Sequence, residues 1–352
     1  MFWANENKDF DDWGSFYDFI FSHFILLHSF QNEQSCRRYL NELKPFCTKL
    51  WRSYQDYAGK IEVNYTSQLT QEAYLLRYGP LYSKGLQIIL NHLETEEETP
   101  LGVGTEISLF SAGPATEIIP IIKSLKKLTF LAHLDPREIT INLVDKISWE
   151  FPRSVVLSSM KEYQEENQSF VPKINEVIND IFTDQPILMT GKSDLIIFQN
   201  CLNEYTSQKS EDETLKAISK TIDYLSPTGL LIFSERSGYK MEELLEKFAT
   251  DNDNKLIEVA SIHIEDEAIL SKEIPQIIKE ELLTGEYGLI PSRYNRMYFA
   301  IFKKIDLEAQ WPTMDEAEQI AYDDADEIIR NPDPRWSEDE NIRQEKFYDD
   351  ED

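Results

Sequence analysis

The sequence predicts an α/β protein: a seven-stranded sheet, a helical region in front of it and an acidic tail behind it. Three observations carry this. From about residue 103, short apolar runs alternate with longer amphipathic segments, the pattern of βαβ units on a largely parallel sheet. A turn of small residues, Ser111-Ala112-Gly113-Pro114-Ala115-Thr116, follows the first such run. An acidic residue, Asp145, closes the second.

The chain divides by composition into residues 1–100, 101–304 and 305–352. In the first part, Tyr39, Leu43, Phe46, Leu50, Trp51 and Tyr54 recur at a three-to-four-residue period, and a second helical stretch begins at Ala73. Gly79-Pro80 is expected to kink or split that stretch. The apolar run Phe19–Leu27 is less than half the length of a membrane span and reads as a buried helix. The acidic run Glu94–Pro100 reads as a linker.

In the middle part the expected strands are 107–110, 139–144, 177–179, 195–198, 230–233, 256–264 and 297–302. The third is poorly delimited because the residues before it are polar. Between Asp306 and Asp352 there are 18 acidic and 4 basic residues, so this stretch carries −14 of the net charge of −29. Few apolar residues at such charge read as a disordered or loosely docked arm, with Trp311, Trp336 and Phe347 as anchors that dock it on a protein partner or on the domain itself.

The acidity disfavours direct binding to nucleic acid, whose phosphates it repels. The N-terminus shows no secretory pattern, and no membrane association is expected. A cytoplasmic protein is the simplest expectation, with the nucleus left open. Cys36, Cys47 and Cys201 lack the spacing of a zinc site or a disulfide framework, and read as small buried hydrophobes. The five histidines are isolated, so no metal is expected.

The chemistry is expected at the strand tips. A tight small-residue turn between strand and helix lets backbone N–H groups approach a ligand closely. An acid at the end of the second strand can accept hydrogen bonds from both ribose hydroxyls of an adenosine; capping a helix is the alternative use. Asp180 follows the third strand. Ser193-Asp194-Leu195-Ile196-Ile197-Phe198-Gln199-Asn200 is an acidic start, an apolar run and a polar end, and Leu225-Ser226-Pro227-Thr228-Gly229 is a turn into a fifth strand.

Taken in this order over about 200 residues, these segments resemble the class I S-adenosylmethionine-dependent methyltransferases, which have a Rossmann-like seven-stranded sheet. The first motif is divergent. Leu109 stands where that family has an acid, Ser111 and Ala115 replace two of its three glycines, and Gly113 is kept. The resemblance implies S-adenosylmethionine as cofactor. It places Ser111, Ala112, Gly113 and Pro114 against the cofactor, Asp145 on its ribose and Asp180 at its adenine amino group. Gln199 and Asn200 would meet substrate or the cofactor's amino-acid part. Methyl transfer needs alignment and exclusion of water more than a fixed catalytic motif, so the catalytic base is unknown; Glu204, Tyr205 and Glu235 are candidates by position only.

The expected function is methyl transfer to a protein or small-molecule acceptor. One alternative is a methyltransferase-like scaffold whose cofactor site has decayed. A second rests on Gln71–Tyr82 with Leu202-Asn203-Glu204, which resemble the small-ribosomal-subunit assembly methyltransferase-like family, although that family's cysteine cluster is lacking. An NAD-dependent oxidoreductase would share the fold start and Asp145, but fits the glycine pattern and the strand count less well.

Overall fold

A computed structural model describes residues 13–55, 63–95, 105–132, 139–167, 172–183, 187, 191–236, 238–267, 274–290 and 294–306. Residues 96–100 of the acidic linker, and the acidic tail beyond Asp306, lie outside the described residues.

Three helices come first: α1 (Trp13–His28), α2 (Glu33–Gln55) and α3 (Gln68–Thr95). The sheet is then built from β1 (Glu106–Phe110), β2 (Thr140–Asp145), β3 (Lys173–Ile178), β4 (Ser193–Gln199), β5 (Leu225–Arg236), β6 (Leu256–Glu267) and β7 (Tyr294–Lys304). Helix α4 (Ile118–Ala132) joins β1 to β2, and α5 (Glu150–Asn167) joins β2 to β3. Helices α6 (Leu202–Gln208) and α7 (Glu211–Ser219) lie between β4 and β5. Helix α8 (Tyr239–Asp251) follows β5, and α9 (Gln276–Glu281) precedes β7.

The strand order is β3-β2-β1-β4-β5-β7-β6. Strands β3, β2, β1, β4 and β5 pair in parallel, and β7 runs antiparallel to both β5 and β6. The chain lays β1, β2 and β3 outward in one direction, then returns to place β4 on the other flank of β1. A topological switch point therefore opens between the tips of β1 and β4, where open α/β sheets bind ligands.

The twofold alternation of strand side chains divides the interior into two layers. Leu109, Leu143, Ile197 and Ile232 point into one, shared with α1, α2, α3, α4 and α5. Phe110, Val144, Phe198 and Phe233 point into the other, shared with α6, α7 and α8. Phe110, Phe198 and Phe233 are in register across three strands and stack at 4.9 and 5.3 Å between centroids. The front helices thus belong to the same core as the sheet.

All seven expected strands form; β2 keeps its expected length, shifted by one residue, and the others are longer than their apolar runs. The largest difference is at β5, which begins at Leu225 rather than Leu230; β3 begins at Lys173 rather than Val177. Strand β3 is an edge strand with polar, partly exposed residues, so its hydrophobic signal is weak although its pairing to β2 is regular.

The expectation at Gly79-Pro80 is corrected. Helix α3 runs unbroken through both residues. Gly79 lies so close to the turn after β1 that a Cβ there would stand 2.9 Å from Thr116 Cγ2. Pro80 cannot donate to the Leu76 carbonyl four residues back, and the Tyr17 hydroxyl of α1 donates to that carbonyl instead. Ser83 Oγ donates to the Thr116 carbonyl at 2.8 Å, one turn further on. The Tyr17 hydroxyl therefore supplies the donor that the proline removes. Among the described residues, no helix is long and apolar enough to cross a membrane.

Candidate functional site

The turn after β1 has the backbone of a glycine loop with only one glycine in it. Ser111, Gly113 and Ala115 have φ of +51°, +48° and +62°. These alternate left-handed residues are the positions where the resembling family carries its three glycines. A left-handed non-glycine residue costs roughly 1–2 kcal/mol, and such residues persist where surrounding structure holds them. Asn200, at the tip of β4, is a further case at +51°.

Asp145 ends β2, and its carboxylate closes on this loop. Its Oδ2 accepts from the Gly113 N–H at 2.9 Å, and its Oδ1 accepts from the Ile147 N–H at 3.1 Å. It does not cap α5, which starts at Glu150. Burial is the main cause raising its pKa, opposed by these two N–H groups and by Arg153. Arg153 fixes the loop from the other side: its Nε donates to the Gly113 carbonyl at 2.9 Å, and its Nη1 pairs with Glu176 at 2.7 Å.

Beside Asp145 lies a cleft of about 50 Å³ lined by Ser111, Asp145, Asp180, Ile181, Phe182 and Tyr205, among others. Asp180 Oδ1 accepts from the Phe182 N–H at 3.0 Å, which turns the chain after β3 and holds Phe182 at the cleft. The Ser111 and Tyr205 hydroxyls are hydrogen-bonded to each other across the cleft.

Gln199 and Asn200 are buried at the end of β4. Gln199 Nε2 donates to the Tyr82 carbonyl at 2.9 Å. Glu235, fully buried at the end of β5, accepts from the N–H groups of Cys201 and Leu202 at 2.9 and 3.0 Å, and so holds the start of α6. Desolvation pushes its carboxyl up to about 8, and that of Glu117, in the turn before α4, up to about 7.

The tips also gather buried polar atoms without hydrogen-bond partners. They are Glu117 Oε2, Trp149 Nε1, Arg153 Nη2, Asn179 Oδ1, Gln199 Oε1, both amide atoms of Asn200 and Glu235 Oε2. Buried polar atoms are nearly always satisfied, so this concentration marks a place built for polar ligands or water.

The structure thus brings Ser111, Asp145 and Asp180 together around one cleft, with Gly113 bonded to Asp145 behind it. Ala112 and Pro114 lie within the loop, Ala112 donating its N–H to the Val144 carbonyl at 3.3 Å. Gln199 and Asn200 stand at the neighbouring tip and do not line that cleft. Residue-type reasoning missed Glu117, Trp149 and Arg153. Glu117 directly follows the small-residue turn and was the easiest to find, since a carboxylate at the start of an apolar helix invites the question of what it faces. Cys201 is buried and its thiol is raised well above the usual range, so it is no thiolate nucleophile. Among the described residues, no group of three or more His, Cys, Asp or Glu is placed to hold a metal ion.

Five parallel strands, a switch point between β1 and β4, and an antiparallel seventh strand inserted between the fifth and sixth decide the architecture. The fold is that of the class I methyltransferases. No protein-family model and no curated protein matches the chain. Solved structures of this fold are similar to it at low identity. The N-methyltransferase NodS of Bradyrhizobium japonicum WM9, in complex with S-adenosylhomocysteine, is 11% identical with a TM-score of 0.39; the match covers 73% of this chain and 98% of that one. A loganic acid methyltransferase with S-adenosylhomocysteine is 11% identical, covering 71% and 99%, with a TM-score of 0.42. The CurJ carbon methyltransferase is 14% identical, covering 82% and 80%, with a TM-score of 0.38. Strand order and direction, rather than these likenesses, carry the fold assignment.

Proposed function

We propose that this protein binds S-adenosylmethionine at the β1–β4 switch point and transfers its methyl group to a small-molecule or protein acceptor. The carrying observation is the Asp145 carboxylate, held at the tip of β2 against the Gly113 loop and facing the cleft. A carboxylate oxygen that accepts one N–H keeps a second lone pair, so Asp145 can also accept the two ribose hydroxyls of an adenosine.

The surrounding residues suit the rest of the nucleoside. Ile181 and Phe182 offer apolar surface for the base, and Asp180 offers a carboxylate for its amino group. Beyond Tyr205, the unpartnered atoms of Gln199, Asn200 and Glu235 suit the charged amino-acid end. A bound sulfonium cofactor would supply an activated methyl group. What the chain adds is alignment and the exclusion of water by the front helices over the tips.

The cleft is far smaller than the ~300–1,000 Å³ of ordinary small-molecule sites. Entry of the whole cofactor therefore requires the Ser111–Tyr205 hydrogen bond to open. The same closure favours a second reading, a methyltransferase-fold scaffold that binds no cofactor and works through its helical region and acidic arm. The charge of −29 weighs against an RNA acceptor and hence against a ribosome-assembly role.

Calorimetric titration with S-adenosylmethionine and S-adenosylhomocysteine separates the readings, with Asp145→Ala and NAD as controls. Micromolar binding that Asp145→Ala abolishes supports the enzyme. Silence of the intact protein toward all three ligands leaves the scaffold.

A further inference from the structure

Helices α2 and α3, the turn between them and the residue before α5 bring aromatic rings to one place. Tyr65 and Tyr74 stand 5.8 Å apart between centroids, and Trp149 lies 5.3 Å from Tyr65 and 5.5 Å from Tyr74. The α3 series continues with Tyr78, 5.3 Å from Tyr74, while Tyr54 of α2 lies 5.7 Å from Tyr78. Tyr54, Tyr65 and Tyr74 are only half-buried, and so is Glu204 on α6. The hydroxyls of Tyr54 and Tyr65 both donate to Glu204 Oε1, at 2.7 and 2.6 Å. Three partly buried tyrosines thus lie about the Glu204 carboxylate, beside the buried Glu117 and Trp149.

Acidic side chains gather there, and burial shifts Glu117 and Glu204 toward their neutral forms. Glu117 and Glu204 both act on Tyr74, Glu204 and Glu235 both act on Tyr82, and Asp145 acts on Glu117 and Glu204. Arg153 is a buried cation nearby that acts on Glu117; its Nε and Nη1 are engaged by the Gly113 carbonyl and Glu176, and its Nη2 has no hydrogen-bond partner. Lys146 and Arg236 are exposed to solvent. Two buried groups of the cluster lack partners, Glu117 Oε2 and Trp149 Nε1. Such a site repels an anionic acceptor and gives a neutral one little. A cation would meet ring faces, where cation–π attraction operates, and carboxylates whose ionisation it would favour.

We propose that the cluster of Tyr54, Tyr65, Tyr74, Trp149, Glu117 and Glu204 is a subsite for an organic ammonium group, so that the methyl acceptor carries an ammonium group apart from the atom that is methylated. The assignment of the ligand as acceptor rests on the methyl-transfer reading, while the cation subsite stands on this geometry alone.

The test is calorimetry or ligand-observed NMR on the full chain, with n-butylammonium as probe and pentan-1-ol as its neutral counterpart. Each is titrated with and without saturating S-adenosylhomocysteine, which is also titrated by itself. Butylammonium is expected to bind while pentan-1-ol does not, and to bind the loaded protein as well as the free one. Glu204→Gln and Tyr74→Leu should each weaken butylammonium about 3- to 30-fold, and Tyr74→Phe, which keeps the ring, should not. Circular dichroism establishes that each variant is folded. Equal binding of the two probes, or folded Glu204→Gln and Tyr74→Leu variants that bind butylammonium normally, would overturn the subsite. Displacement of butylammonium by S-adenosylhomocysteine would overturn its assignment to the acceptor. Silence toward S-adenosylhomocysteine with butylammonium still bound would instead sink the methyl-transfer reading and leave the cation site standing.

Discussion

The Tyr17 hydroxyl donates to the main-chain carbonyl of Leu76, the acceptor that Pro80 leaves without its helical donor. Both residues are buried, so no water can easily take the hydroxyl's place. Tyr17→Phe is therefore expected to destabilise the fold by about 1–3 kcal/mol, the cost of an unsatisfied buried acceptor. In a Pro80→Ala background the restored N–H satisfies Leu76 and the cost should shrink. A double-mutant cycle by urea unfolding measures this, and additive effects would show that the two residues do not share the carbonyl.

Two glycines should respond differently to alanine. At Gly79 a Cβ would meet Thr116 Cγ2 at 2.9 Å, so a buried side chain must move. The cost of overpacking, typically about 1–3 kcal/mol, should outweigh the gain of roughly 1 kcal/mol in helix propensity. Thr116→Ser, which removes that methyl, should rescue the variant. At Gly113 the nearest neighbour is Trp149 at 3.7 Å, an ordinary contact, and only the positive φ resists. Gly113→Ala should cost about 1–2 kcal/mol with no rescue by trimming a neighbour. Thermal unfolding of the four variants distinguishes the cases.

Burial raises Glu235 and Glu117 to about 8 and about 7, whereas an unfolded chain titrates near the ordinary glutamate value. Between roughly pH 4.5 and 8 the folded state thus binds more protons than the unfolded state, and stability falls as pH rises through this window. Glu204 and Cys201 act on the same centre and are raised as well. Asp212, Glu213, Glu280 and Glu281 are lowered, and their contribution is lost only as pH falls toward or below the ordinary carboxylate range. Denaturant unfolding across this window should show the decline, and Glu235→Gln, which keeps an acceptor for Cys201 and Leu202, should flatten it. An unchanged slope would place the charge elsewhere.

Opening the Ser111–Tyr205 hydrogen bond is part of cofactor entry in the proposed function. Tyr205→Phe removes the bond and keeps the ring that packs on Phe182 at 5.1 Å. S-adenosylhomocysteine affinity should rise about 2- to 12-fold, the equivalent of one hydrogen bond's net worth of roughly 0.5–1.5 kcal/mol. Weaker binding would mean that the hydroxyl contacts the ligand rather than closing the cleft.

Strands and turns were legible because they rest on short-range rules. Runs such as Leu195–Phe198 can only be buried strands at that length, and Ser111–Ala115 reads as a tight turn from residue size. Asp145 and Asp180 were singled out by position after a strand, and the structure places both at one cleft. By itself the sequence determined the α/β class, the number of strands and the place of the small-residue loop, since apolar runs and their spacing act through backbone period and burial. Tertiary structure decided the rest. Helix α3 runs through Pro80 with the Leu76 carbonyl satisfied by Tyr17, which arrives from a distant segment. A buried polar ladder joins Asn175, Asn142 and Ser108 across three strands, and Ser108 continues it to Ser193. Tyr54, Tyr65 and Glu204 meet from three separate elements. Those partners lie tens of residues apart along the chain, so no local pattern records them, and their hydrogen bonds exist only once the sheet and its front helices have packed.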